Sequence, residues 1–194
     1  MALQSKINYR APTTMLDEPD GMWQMEAGKI APWFAGRGAD IGCGLRTIKQ
    51  DTIRVDCDQN VKPEVLCGGD KLPFKDGELD YISSIHSFEH FEDQKAVLKE
   101  WLRVVKDGGV VGIVHPDVQY TKRQEERETN ESLRNNPFNK HYHECTHEQF
   151  INMITTWQDL PFVILDHGVA CGNWSFYVVL QKREKSAGKK GDNL

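Results

Sequence analysis

The sequence predicts an α/β fold in three α/β/α layers, built on a Rossmann-like, doubly wound seven-stranded sheet that is mostly parallel with the last strand antiparallel. Three observations predict it. Short β-branched, apolar runs recur along the chain, "GADIG", "TIRVD", "EVLC", "LDYISSI", "GGVVGIV", "FVILDHG" and "NWSFYVVLQK", and each reads as a strand. Helical patterns lie between them, and strands separated by helices pair in parallel with helices packed on both faces. The last two runs are parted only by "VACGN", too short for a parallel crossover, so they form an antiparallel hairpin.

The elements follow in order. Residues 1–20 are polar, carry Pro12 and Pro19, and read as a flexible N-terminal segment. "ADIGCG" begins as a buried strand and turns on small residues, and "LRTIKQ" continues as a short turn or helix. The clearest helix is "DQKAVLKEWLRVVKDGG": Asp93 can cap it, Val97, Leu98, Trp101, Leu102 and Val105 make one apolar face, and Gly108 can end it. Trp101 and Trp157 fall at helical core positions and read as packing. Residues Thr121 to Arg134 are charged nearly all round, which suits a solvated helix, with a cover over a pocket as the other reading. In "THEQFINMITTWQ", Thr146 caps a helix and Gln149 stands three residues on, the spacing of a capping box.

Composition bounds the function. At 194 residues with 39% hydrophobic, the chain suits one domain with a substantial core, expected over residues 21–182, followed by a disordered basic tail over 183–194. The formal charge is −5; residues 181–194 hold five basic against two acidic side chains, so the rest of the chain is about −8. An acidic body argues against nucleic acid as a partner. The five cysteines, Cys43, Cys57, Cys67, Cys145 and Cys171, form no CxxC pair and suit free thiols in a reducing compartment. No run approaches the length of a membrane span, and the expectation is a cytoplasmic protein.

The chemistry concentrates at strand ends, where open α/β sheets bind ligands. Gly42 and Gly44 suit a backbone turn that comes close to a bound molecule. Asp40, two residues earlier, would repel a pyrophosphate, and Thr47 replaces the third glycine of GxGxxG, so a nicotinamide dinucleotide fits badly and a cationic ligand fits well. The second strand ends in "VDCD", where Asp56 or Asp58 could accept from both ribose hydroxyls. Asp70, in "GGDKLPF" after the third strand, could meet an adenine amino group. Each acid also has a plain reading as a turn or cap residue. Together they describe a site for a nucleoside carrying a positive charge.

On "DIGCG", "VDCD", "DKLPFKDGELDYISSIHSFEHF", "VLKEWLRVVKDGGVVGIVHPD" and "NWSFYVVLQK", the chain resembles the class I S-adenosylmethionine-dependent methyltransferases, in particular the small methyltransferase type 11 kind, from about Trp23 to Lys182. The resemblance implies the class I methyltransferase fold, S-adenosylmethionine as cofactor with S-adenosylhomocysteine as product, and a transferase of one-carbon groups. It implies cofactor contacts from Asp40, Gly42, Cys43, Gly44, Asp56, Asp70 and Ser84. Arg46 stands where the family often has a further glycine, so it would narrow the methionine pocket or contact a carboxylate. "SSIHSFEHF" and "HYHECTHEQF" resemble most the small enzymes found alongside polysaccharide and lipid-saccharide synthesis, which implies a small-molecule acceptor such as a sugar or nucleotide sugar.

Methyl transfer from a sulfonium needs alignment, exclusion of water and, where the acceptor must lose a proton, a base. His86 past the fourth strand is the first candidate, followed by His115 at the end of the fifth and His143 in the loop beyond. "HYHECTH" also invites a metal reading, but no matched CxxC or HExxH spacing accompanies it, and the expectation is no metal. "SIHSFEH" is unlike the Asn/Asp-Pro-Pro-Tyr loop that grips a flipped base, and no Pro-Cys nucleophile is present, both again arguing against nucleic acid. Two rivals stand: a catalytically inactive S-adenosylmethionine-binding or regulatory protein of the same fold, and a nicotinamide-dependent enzyme, disfavoured by Asp40 and Thr47. Nothing in the sequence sets the oligomeric state.

Overall fold

The computed structural model describes residues 20–119 and 141–184. The N-terminal segment 1–19, the charged segment Thr121 to Arg134 and the tail from 185 lie outside the described residues. Seven strands form one sheet in the order β3-β2-β1-β4-β5-β7-β6. They are β1 (Gly38–Ile41), β2 (Ile53–Asp56), β3 (Val65–Leu66), β4 (Leu79–Ile85), β5 (Val105–Pro116), β6 (Phe162–Cys171) and β7 (Ser175–Lys182). The first five pair in parallel, and β7 runs antiparallel to both β5 and β6. All seven expected strands and the closing hairpin are present.

Each face of the sheet carries its own core. On one face, α1 (Asp20–Ile30) buries Trp23, Ala27 and Ile30 against Tyr81, Val114 and Val179. On the other, α2 (Gln94–Val104) and α3 (His147–Thr155) bury Val97, Leu98, Trp101, Phe150 and Ile154 against Ile82, Val111, Ile113 and Val178. α2 starts where expected, with the Asp93 carboxylate accepting from the Ala96 amide at 2.9 Å. α3 has the full capping box: the Gln149 amide donates to Thr146 and the Gln149 side chain accepts from the Thr146 amide. Trp101 is fully buried and its indole donates to the Gly69 carbonyl at 2.7 Å.

Three boundaries differ from expectation. α2 ends at Val104, because Val105 is already extended and pairs with Leu79 on β4. Gly108 (φ +78) instead lies in an irregularity where the pairing jumps from Leu79↔Val105 to Tyr81↔Val110, a loop-out that needs its positive φ. β6 continues through Cys171, so the hairpin connection shrinks to residues 172–174. "LRTIKQ" forms turns, one of its two expected alternatives, whereas α1, whose apolar pattern was weak, was not expected.

Candidate active site

The carboxyl ends of β1, β2, β4 and β5 and the start of β7 share one edge of the sheet, with Ser175 in register with Pro116. Two groups of side chains gather there. The first surrounds the glycine loop, and the second surrounds the end of β4.

The glycine loop is fastened to β2. The Gly42 and Cys43 amides donate to the Val55 carbonyl at 2.9 and 3.2 Å. The Gly44 amide donates to Asp56 Oδ2 at 2.9 Å, and the Asp58 amide donates to Asp56 Oδ1 at 2.9 Å. Each Asp56 oxygen thus keeps accepting capacity for a ribose hydroxyl. Asp58 is occupied by the Asn60 amide and side chain, both at 2.8 Å, which settles its role as a cap of the short turn Gln59–Val61. A side chain at Gly42 (φ +69) would be strained and would displace Ser87, since a Cβ would fall 2.2 Å from Ser87 Oγ. Gly44 (φ +51) faces open space, with nothing within 4 Å of its Cβ direction, so the crest of the loop can be approached closely. Gly42→Ala is expected to cost at least about 2 kcal/mol, from the left-handed backbone and the contact with Ser87 together. Denaturant unfolding of the variant measures it.

Arg54 was missed by sequence reasoning. From within β2 its guanidinium donates to the Gly44 carbonyl at 2.7 Å and to the Val61 and Lys62 carbonyls at 2.8 and 3.1 Å, bracing the loop. A basic residue inside the short strand-like run "IRVD" was the signal available.

Asp40 was expected to face the ligand, yet it lies beneath the loop at 5% exposure, with Ser83 Oγ donating to it at 2.6 Å. Burial pushes its pKa up to about 7, against the opposing effects of the Ser83 and Ile48 hydrogen bonds and the Arg54 charge. Burial likewise pushes the Cys43 thiol up to about 12, so Cys43 serves as a neutral wall. Asp70 is exposed at the rim, behind Gly69, whose position between Ile41 and Phe91 admits no Cβ. Arg46 lies over the Trp23 ring, 5.8 Å from its centroid, which is the contact that draws it toward α1. Ser84 Oγ is buried without a hydrogen-bond partner among the described residues.

The second group centres on two buried carboxylates, Glu26 of α1 and Glu89 beyond β4, at 0% and 1% exposure. Glu26 was not foreseen; its Oε1 accepts from Ser175 Oγ and meets His86 Nε2 at 2.9 Å. His86 holds a left-handed backbone (φ +52), uncommon for a non-glycine residue, and its Nδ1 is 3.9 Å from Glu89 Oε1. With a carboxylate at Nε2, the neutral ring carries its proton there and presents the lone pair at Nδ1.

His115 is fully buried, stacked on Phe176 and tilted against Phe150, with Nδ1 donating to the Pro116 carbonyl at 2.8 Å and Nε2 left without a partner. Burial lowers its pKa, which Glu89 only partly opposes. For Glu89, burial acts upward but the charges of His115, His90, His86 and His141 outweigh it, and the carboxyl stays below its usual range.

The histidines of "HYHECTH" separate in space. The Tyr142 and His143 amides donate to the Glu89 carbonyl, which sets His141 beside His90 with ring centroids 4.9 Å apart. His143 Nε2 is engaged by the Glu92 carbonyl at 2.8 Å, and His147 pairs with His167 at 3.0 Å. His86 therefore lies beside Glu89, whereas the His143 ring is held by the Glu92 carbonyl.

The comparisons agree with this geometry. Residues 28–113 match the family model of a methyltransferase domain. A ubiquinone/menaquinone biosynthesis C-methyltransferase of Cupriavidus taiwanensis is 31% identical over 93 residues, covering 45% of this chain and 38% of that protein. Among solved structures, a SAM-dependent methyltransferase of Thermotoga maritima aligns with a TM-score of 0.60 at 18% identity, over 83% of this chain and 88% of its own. A methyltransferase solved in complex with a methyltransferase activator of Haloferax volcanii aligns with a TM-score of 0.62 at 13% identity, over 85% and 92%. The alignments with the first curated relatives span about half of their length or less.

The sheet has the fold of the class I S-adenosylmethionine-dependent methyltransferases, and residues 28–113 within it match the model of a methyltransferase domain. Within that class the chain resembles the methyltransferase type 11 enzymes, and family and fold imply S-adenosylmethionine as the cofactor. The residues fit that molecule: an open glycine crest, an acid with spare acceptor capacity at the end of β2, and a carboxyl under the loop. No helix among the described residues is long and apolar enough to cross a membrane. Asp56→Ala is expected to weaken S-adenosylhomocysteine binding by about 1–3 kcal/mol. Calorimetric titration checks this, and unchanged affinity would remove Asp56 from the ribose role.

Proposed function

We propose that the protein is an S-adenosylmethionine-dependent methyltransferase acting on a small-molecule acceptor that loses a proton, a hydroxyl or amine on a sugar or nucleotide sugar. The observation that carries this reading is His86, held at φ +52 with Nε2 against the buried Glu26 and Nδ1 toward Glu89. Spending backbone strain and a buried carboxylate on one imidazole at the ligand-binding edge suits a proton acceptor.

The cofactor's sulfonium supplies the methyl electrophile and leaves as a neutral thioether. Asp56 and the glycine loop hold the nucleoside, Asp40 adds negative potential from below, and Asp70 stands at the rim. His86 Nδ1 would take up the proton that the acceptor loses on methylation. Glu26 and Glu89 stabilise the charge that His86 then carries.

The test is methyl transfer from labelled S-adenosylmethionine to separated acceptor pools. Label in the nucleotide-sugar pool is the expected result. Label only in a hydroquinone pool would shift the acceptor toward the class named for the Cupriavidus relative. Retained S-adenosylhomocysteine binding with no label anywhere would favour the inactive binding protein.

A further inference from the structure

Beyond His86, the end of β4 holds a cluster that shares Glu89 with the transfer step above but whose two imidazoles that step does not use. One ligand atom from each of Glu89, His90 and His141 lies within 4.8 Å of the other two. His90 follows Glu89 in the short helical turn Phe88–His90, and His141 is brought against them by the hydrogen bonds of the Tyr142 and His143 amides to the Glu89 carbonyl.

Among the polar atoms buried in this region without partners are Glu89 Oε2, on a residue 1% exposed, and His115 Nε2, on a residue 0% exposed. A buried carboxylate with an unmatched oxygen is costly unless a cation neutralises it, and neutral imidazoles supply lone pairs but no charge. A divalent cation satisfies both, taking the carboxylate's charge and the imidazole lone pairs together.

We propose that Glu89, His90 and His141 bind a divalent transition-metal ion at the acceptor side of the site. Two imidazoles and one carboxylate match Zn²⁺, Co²⁺ or Fe²⁺ better than Mg²⁺. The 4.8 Å limit exceeds the roughly 3.4 Å between ligands on a tetrahedral ion with bonds near 2.1 Å, so the His90 and His141 rings close on the ion by rotating. Three protein ligands leave positions for water and for an acceptor oxygen. If the methyl-transfer reading holds, this metal selects acceptors with a ligating hydroxyl and lowers that hydroxyl's pKa beside His86. Spacing along "HYHECTH" hid the cluster, since only His141 of that run takes part.

Co²⁺ titration of the full chain, followed by its visible ligand-field bands, tests the site without any methyl transfer. One ion per chain is expected. His141→Gln, a partly exposed position that should fold normally, is expected to weaken binding at least about 100-fold, beyond what loss of an outer-shell partner causes. His90→Gln is the second such variant should Glu89→Gln fail to fold. His167→Gln, which removes the other histidine pair, is expected to leave the titration unchanged. Absence of Co²⁺ and Zn²⁺ binding up to millimolar concentration, or binding that follows His167 and not His141, would overturn the site. S-adenosylhomocysteine titration of the same variants separates the two readings: its failure sinks the cofactor reading and leaves the metal result standing.

Discussion

His86→Asn is expected to lower turnover by about 10²–10⁴-fold, the usual contribution of a positioned proton acceptor. Cofactor affinity should change less than about threefold. Asparagine is the informative replacement because it tolerates a left-handed backbone (here φ +52) and can still hydrogen-bond to Glu26, so the loop geometry is kept while the base is lost. His86→Ala removes both. If turnover and S-adenosylhomocysteine affinity fell together in the asparagine variant, His86 would be a pocket wall and the proton would go elsewhere. Glu26→Gln provides an intermediate case, since it keeps an acceptor for Ser175 and His86 but removes the charge that favours a protonated imidazole.

The second large effect is a stability that falls as pH rises. Asp40 has a folded pKa of about 7, raised by burial, while an unfolded aspartate titrates near 4. Its contribution is therefore fully present below about pH 4, because there both states hold the proton. Between pH 4 and 7 the unfolded chain gives up its proton first, so stability drains away by about 4 kcal/mol in total and levels off above pH 7. Arg54 and Asp56 are the charged groups acting on it, and they oppose each other. Asp40→Asn carries no such titration. Denaturant unfolding at pH 5 and pH 8 should show the wild type losing a few kcal/mol relative to this variant. A parallel loss in both would mean that Asp40 is ionised in the fold throughout. Binding of the cationic cofactor over Asp40 should also release a proton near pH 6, measurable by calorimetry in buffers of different ionisation enthalpy.

Seven strands, the hairpin at the end, the Asp93 and Thr146 caps and the glycine turn were all legible in the sequence. The reason is that each is encoded locally: alternating or continuous apolar runs, a cap residue at a fixed offset, and backbone angles that only glycine takes easily. That Asp40, Gly42, Gly44, Asp56 and Asp70 lie near strand ends was legible for the same reason, since strand ends in a parallel sheet share an edge once the order of strands is known, while their contacts to a cofactor remain for titration to test.

What only the tertiary structure decided is which distant residues meet at that edge. Glu26 lies 60 residues from His86 and 149 from Ser175 along the chain, yet touches both. Arg54 braces the Gly44 carbonyl through the pairing of β1 with β2. "HYHECTH" looked like one cluster by spacing, but backbone hydrogen bonds to Glu89 and Glu92 send its histidines to different neighbours. Burial, too, is a property of the packed sheet: the same Asp40 that was expected from sequence to face the ligand is covered by the glycine loop, and burial pushes its pKa up to about 7. Local patterns fix strands and turns because they depend on neighbours a few residues away, whereas charge pairing and desolvation depend on segments that come together only when the sheet closes.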